Sequence, residues 1–291
     1  MYRPKGILSS VVTPFTKEGE IDEPALRELL RHQITKVDAL SVTGNTGEIT
    51  DLSIDEVKRI CDIAMEEAGG KVKVIVGALY PSMRDNLEVA KYAKAAGADA
   101  VMVSPPYYIA PPADGLYEYF ETIGKVGIPM IIFNHPGRTP YNLMPDMLER
   151  LMQIETFVGI KECDTDMVRV NKKIQAINGR VSYLMGHMTL ALYTWILGGD
   201  GGFFSAGNYA PDLVTALYQA CKAGDMEKAL DLHQKVCKLN DAMSTPNFPA
   251  GPKYACDLIG LKGGYCRSPI GGLTDKEKEN IKRVLTEIGV L

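Results

Sequence analysis

Eight short apolar runs alternate with eight amphipathic stretches along most of this chain. The runs cover residues 6–13, 39–43, 72–77, 100–104, 129–134, 157–162, 182–186 and 201–205. Each is nearly continuously apolar, the pattern of strands buried on both faces of a parallel sheet. The stretches between them, residues 23–36, 54–68, 83–96, 115–126, 144–152, 167–177, 189–197 and 211–223, space their apolar residues as helices do. Ser53 before Asp55-Glu56 and Ser82 before Arg84-Asp85 mark helix starts, while Gly97 and Gly198-Gly199 mark helix ends. Eight such repeats predict an α/β fold, a (β/α)8 TIM barrel, better than a doubly wound sheet. No GxGxxG or GxxxxGKS/T turn follows the first run. Beyond about Gly224 the strand-like runs stop, and residues 225–242, 253–261 and 274–287 read as helices. The expected organisation is a catalytic barrel over residues 1–224 and a C-terminal helical region over 225–291.

The bulk chemistry narrows the function. A chain of 291 residues with a formal net charge of −4 and interspersed signs carries no basic stripe for nucleic acid. No apolar stretch approaches the length that crosses a membrane. The N-terminus runs straight into a strand-like segment, which argues against a signal peptide. Six scattered cysteines form no CxxC pair, and four dispersed histidines suggest no metal cluster. The expectation is a cytoplasmic protein with reduced thiols, no metal, and no nucleic-acid or membrane partner.

In a barrel of this kind the chemistry sits at the C-terminal ends of the strands. The sixth run ends in Gly159-Ile160-Lys161-Glu162. An ammonium in a buried strand is unfavourable unless its pKa falls, and a neutral amine there can attack a ketone to form a Schiff base. A lysine just past the strand that snorkels to solvent is the plainer alternative. The second run ends in Gly44-Asn45-Thr46-Gly47-Glu48, a turn whose backbone N–H groups suit an anion. The fourth ends in Tyr107-Tyr108 and the fifth in Phe133-Asn134-His135-Pro136-Gly137-Arg138. Tyrosine can relay protons or plug a loop, and Arg138 offers a fork for a carboxylate.

Together these segments resemble the dihydrodipicolinate synthase / N-acetylneuraminate lyase family of class I pyruvate-dependent aldolases. The resemblance runs nearly end to end. It covers the turn of residues 44–48, the paired tyrosines, the Asn-x-Pro-x-Arg-Thr stretch, Gly-Ile-Lys-Glu, and Asn247-Phe248-Pro249. It implies a homotetramer of barrels, a dimer of dimers, in which Lys161 forms a covalent imine with pyruvate or a 2-keto acid. No metal or organic cofactor is then needed. It also implies that Asn45 and Thr46 hold the pyruvate carboxylate and that Tyr108 reaches across a subunit interface.

The chain departs from the family at two positions of its proton relay. Phe133 stands where the family usually has tyrosine, and Asn45 where it usually has threonine or serine. Phenylalanine neither donates, accepts nor titrates. His135 lies two residues past Phe133, so in a continuing strand it points to the same side and is a candidate replacement acid/base. If Pro136 ends the strand, His135 turns outward instead. His187, after Gly186 at the end of the seventh run, is the second candidate. Gly186 and Phe203 are expected to line the pocket, Phe203 as a bulky apolar wall.

The reading from sequence is a Schiff-base lyase acting on pyruvate or a 2-keto acid. Its reaction is aldol cleavage or condensation, or dehydration of a 2-keto-3-deoxy sugar acid. One alternative is 4-hydroxy-tetrahydrodipicolinate synthase, which condenses pyruvate with aspartate semialdehyde; Arg138 suits it, and Phe133 and Asn45 do not. The other alternative is a non-catalytic paralogue that binds a keto acid.

Overall fold

The structure is a computed structural model and describes residues 2–291. The strands are β1 (Gly6–Ser10), β2 (Ala39–Val42), β3 (Lys73–Ala78), β4 (Ala100–Val103), β5 (Met130–Asn134), β6 (Phe157–Glu162), β7 (Ser182–Met185) and β8 (Gly201–Phe204). They pair in chain order, all parallel, and β8 closes on β1 to complete a barrel. Helices α1 (Glu23–Gln33), α2 (Ile54–Ala68), α3 (Met83–Ala95), α4 (Ala113–Gly124), α5 (Pro145–Leu151), α6 (Met167–Ile177), α7 (Ala191–Ile196) and α8 (Pro211–Ala223) form the outer layer. Three more follow: α9 (Met226–Met243), α10 (Ala250–Leu258) and α11 (Asp275–Glu287). The chain is a TIM barrel with C-terminal helices, as the alternation predicts.

Several ends differ from the sequence reading. The first strand stops at Ser10 although Val11, Val12 and Thr13 are as buried as the strand itself. Apolar content follows burial, and here burial outlasts the hydrogen-bonded ladder. The stretch 189–197 is a 3-10 turn, Met188–Leu190, followed by the short α7. The helix expected over 253–261 lies at Ala250–Leu258. Ser53 makes a full capping box with Glu56, but Ser82 takes the cap position without a side-chain bond.

A second apolar core joins the barrel to the extra helices. Ile7, Phe204, Leu217, Val236, Leu239 and Leu285 pack in one buried cluster that spans β1, β8, α8, α9 and α11. This packing holds the end of α9 over the β8 side of the barrel mouth.

Two polar devices fix the strand ends. Strand periodicity points Lys161 inward and its neighbour Glu162 outward. Behind the barrel wall, the Glu162 carboxylate accepts from Lys173 Nζ at 2.9 Å, Asn134 Nδ2 at 2.7 Å, the Asp164 N–H at 2.7 Å and Tyr183 Oη at 3.1 Å. Lys173 and Glu162 are fully buried, and Asp164 also pairs with Lys173 at 3.2 Å. This cluster ties β5, β6, β7 and α6 together.

The second device holds the β2 turn. Thr43 lies in the left-handed region, with φ 51°, and the Gly77 N–H donates to its Oγ1 at 3.0 Å. A Cβ on Gly77 would stand 2.1 Å from the Thr43 carbonyl oxygen, so β3 approaches this turn only as glycine. Glu48, φ 60°, closes the turn and pairs with buried Lys253 of α10, and it accepts the Arg267 N–H at 2.9 Å.

Candidate active site

The C-terminal mouth of the barrel holds a cavity of about 520 Å³. An adjoining chamber of about 210 Å³ shares Asn45, Phe133, His135 and Arg138 with it. The larger cavity is lined by every sequence-predicted site residue except Tyr108: Asn45, Thr46, Phe133, His135, Arg138, Lys161, Gly186, His187 and Phe203.

Lys161 is buried, 5% exposed, on β6. Phe133 of β5 is its register partner, so both residues point into the barrel mouth. The amine lies 4.3 Å from the centroid of the Phe133 ring and 5.0 Å from that of Phe203. Burial lowers its pKa from 10.5 to about 8, with a small opposing pull from the Cys163 thiol. An appreciable fraction of the amine is therefore neutral near pH 7, which a Schiff-base nucleophile requires. Ring faces stabilise an ammonium only modestly compared with a carboxylate partner. Space above the amine is kept open at Gly186, where a Cβ would fall 2.4 Å from Cys163 Sγ and 3.4 Å from Lys161 Cε.

His135 points to the same side as Phe133; the two rings meet edge-on at 5.5 Å. Pro136 ends the strand without turning His135 outward, because residues 135–139 form a turn in which the Arg138 and Thr139 N–H groups donate to the His135 carbonyl. The ring Nδ1 is buried without a hydrogen-bond partner. Burial, and then the positive charges of Arg138 and Lys161, push its pKa down to about 4. An unperturbed histidine titrates near neutrality; at this position the ring is neutral imidazole at pH 7. Burial also lowers the pKa of His187.

Tyr108 lies apart from the other expected site residues. It is 89% exposed and lines neither chamber of its own barrel, and the following Ile109 is 73% exposed. Tyr107 instead lines the smaller chamber, where burial raises its pKa.

Sequence reasoning missed one wall. Asn240, Ser244, Thr245 and Phe248 line the larger cavity from the end of α9 and the segment after it. They do not end a strand, so the barrel rule gives no signal for them; the Asn247-Phe248-Pro249 stretch was the one pointer. Among the described residues, no aspartate or glutamate lines either chamber.

A profile of the Dihydrodipicolinate synthetase family matches residues 3–288. The 4-hydroxy-tetrahydrodipicolinate synthase of Syntrophus aciditrophicus is 36% identical over 289 residues, covering 99% of each chain. That of Bartonella tribocorum is 36% identical over 290 residues with the same coverage. Among solved structures, dihydrodipicolinate synthase from Aquifex aeolicus superposes with a TM-score of 0.94 at 30% identity over 99% of each chain. A prophage protein of the dihydrodipicolinic acid synthase family from E. coli K12, solved in complex with pyruvate, does so at 0.94 and 28%, covering 99% of each chain. The chain belongs to the Dihydrodipicolinate synthetase family and is an enzyme, a class I aldolase-type lyase.

Proposed function

We propose that Lys161 forms an imine with pyruvate or a related 2-keto acid, and that the resulting enamine makes or breaks a bond to a second substrate. The observation that carries this is a buried amine of lowered pKa between two aromatic rings at the base of an open cavity. The amine attacks the ketone carbon, water leaves, and the iminium withdraws electrons from the adjacent C–H bond. The imine is the electron sink, so no metal or organic cofactor takes part. Asn45 and Thr46 hold the keto-acid carboxylate on a turn rich in N–H groups. Arg138 faces the second substrate, and Gly186 and Phe203 shape the space around the imine. His135 moves the proton that a hydroxyl at position 133 or 45 would otherwise carry.

The enzyme is a cytosolic homotetramer in this reading, and Tyr108 serves a neighbouring subunit's site. Residues 1–224 are the catalytic barrel, and 225–291 are the helical region whose α9 end closes one wall.

A second reading, 4-hydroxy-tetrahydrodipicolinate synthase, is favoured by the names of the relatives, which support it over a sugar-acid lyase. Phe133 and Asn45 weigh against it. Reduction with borohydride in the presence of pyruvate tests the shared step: one pyruvate-derived mass per chain, on Lys161, supports both readings, and its absence removes both. A coupled assay with aspartate semialdehyde separates the synthase from the other lyases.

A further inference from the structure

We infer that Lys253 of α10 is a positioning residue for the keto-acid carboxylate, acting through Glu48 on the turn that carries Asn45 and Thr46. This rests on the carboxylate site proposed above and adds the part of the C-terminal region that keeps that site in shape.

The turn is strained and keeps two donors free. Thr43 and Glu48, on either side of Asn45 and Thr46, both take a left-handed φ, 51° and 60°. A residue with a Cβ stays in that conformation only where its surroundings enforce it. The Gly47 and Ile49 N–H groups donate to the Gly44 carbonyl at 3.0 and 3.3 Å, and the Glu48 N–H donates to Asn45 at 3.2 Å. Among the described residues, the N–H groups of Asn45 and Thr46 have no backbone acceptor. Their common aim toward a ligand depends on what fixes the two ends of the turn. Thr43 is held within the barrel by Gly77, and Thr13 Oγ1 donates to the Gly47 carbonyl at 2.8 Å. Glu48 is held from outside the barrel.

Its fully buried carboxylate pairs with the Lys253 ammonium, which is only 2% exposed. Lys253 also donates to the Tyr265 carbonyl, and the Arg267 N–H donates to the second Glu48 oxygen at 2.9 Å. The centre of the Phe15 ring lies 4.6 Å from the ammonium and 4.2 Å from the Arg267 guanidinium. Arg267 then grips the chain beyond the turn, donating to the Asp51 carbonyl and forking onto Glu56 of α2. Gly263 allows this approach, since a Cβ there would stand 2.0 Å from the Lys253 carbonyl oxygen. Lys253, Glu48 and Arg267 line neither chamber, so they act on the ligand only through the turn. A buried carboxylate stripped of its cation takes up a proton or water. Either event frees Glu48 from its left-handed position and lets the two donors diverge. Lys161 sits on β6, fixed by the separate cluster around Glu162, so its amine keeps its reactivity toward a ketone.

The test compares pyruvate with hydroxyacetone, the same methyl ketone with a hydroxymethyl group in place of the carboxylate. Cyanoborohydride trapping at Lys161 gives a second-order rate constant for each. The two ketones differ in intrinsic reactivity, so the deciding number is the change in their ratio between proteins. Lys253→Met should lower the pyruvate-to-hydroxyacetone ratio about tenfold or more, with the hydroxyacetone rate of the folded protein nearly unchanged. The double variant Glu48→Gln with Lys253→Met leaves no unpaired buried charge, and it provides the readout should the single variant fold poorly. Its ratio should also stay well below that of wild type. An unchanged ratio in Lys253→Met, equal losses for both ketones, or a wild-type ratio in the double variant overturns the inference. Failure of pyruvate trapping on wild-type Lys161 would instead remove the reading beneath it, so the two failures are distinguishable.

Discussion

Phe133 and Lys161 are register partners on neighbouring strands, and the lysine amine lies 4.3 Å from the centre of the phenylalanine ring. The aromatic side chain thus occupies the place from which a hydroxyl would serve the imine. It keeps the amine dry, and it cannot move a proton. These two consequences lead to separable experiments.

The dry site makes Lys161 costly to the fold. Its folded pKa of about 8 lies below its unfolded value of 10.5. The unfolded chain therefore binds more protons between those values, and the lysine's penalty shrinks as pH rises from about 8 to 10.5; below about 8 it is fully present. Lys161→Met should abolish pyruvate trapping and raise stability at pH 7 by up to about 3 kcal/mol. The rate of imine formation in wild type should climb with pH and level off above about 8. A thermal melt of the variant at or below wild type, or a pH-independent trapping rate, would refute this account of the lysine.

The missing hydroxyl should be recoverable. We expect weak wild-type condensation of pyruvate with aspartate semialdehyde, and a gain of about 10²–10⁴-fold in Phe133→Tyr if the hydroxyl is the defect. Robust synthase turnover by the wild-type protein would show that another group relays the proton and would agree with the names of the relatives.

The outer shape of this site was legible in the sequence because a parallel barrel forces function to the strand ends. Lys161, Phe133 and Phe203 could each be placed from a single apolar run. The α9 wall could not, since Asn240 and Thr245 reach the cavity only through the packing of α9 on the β8 side. Lys173 was hidden for another reason. Within Asn171-Lys172-Lys173 it reads as one more solvated helical lysine, although Val170 and Ile177 mark its face of α6 as buried. Tyr108 shows a third limit: it is exposed on its own barrel, so nothing within one chain shows what it meets.

His135 is the candidate replacement relay, and its environment now fixes the pH range to probe. His135→Asn should reduce turnover by about 10²-fold or more while pyruvate trapping at Lys161 persists. A base whose pKa is about 4 loses function only as pH falls through that value, so the wild-type kcat/KM profile should show its histidine limb near 4 rather than near neutrality. Unchanged turnover and an unchanged profile in the variant would return His135 to a packing role and direct attention to His187.

The buried cluster behind the catalytic strand should behave as a unit. Lys173→Met leaves Glu162 and Asp164 without their buried cation, a change that typically costs about 3–5 kcal/mol. Burial alone would raise the Asp164 carboxyl, but hydrogen bonds from Arg169, Asn142 and the Asp166 N–H, and then the charge of Lys173, together hold it well below the usual carboxylate range. That stabilisation is present above the unfolded carboxylate pKa and is lost as pH falls below it. Acid should therefore erode the stability of wild type more than that of the variant. Parallel loss of stability with acid in both proteins would show that the cluster contributes little.

Tyr108 offers the most direct check on assembly. It is exposed on its own barrel, beside the also exposed Ile109, and it lines neither chamber there. If it completes a neighbour's site, Tyr108→Phe and Lys161→Ala should each be nearly inactive alone, and mixed oligomers should recover activity. The recovery arises because one site in such a mixture pairs an intact Lys161 with an intact Tyr108 from the adjacent chain. Co-refolded mixtures should regain a substantial fraction of wild-type turnover, and light scattering should report a species larger than a single chain. Mixtures that stay inactive while the tetramer forms, or full activity in Tyr108→Phe alone, would mean that Tyr107 or water performs the task within one chain.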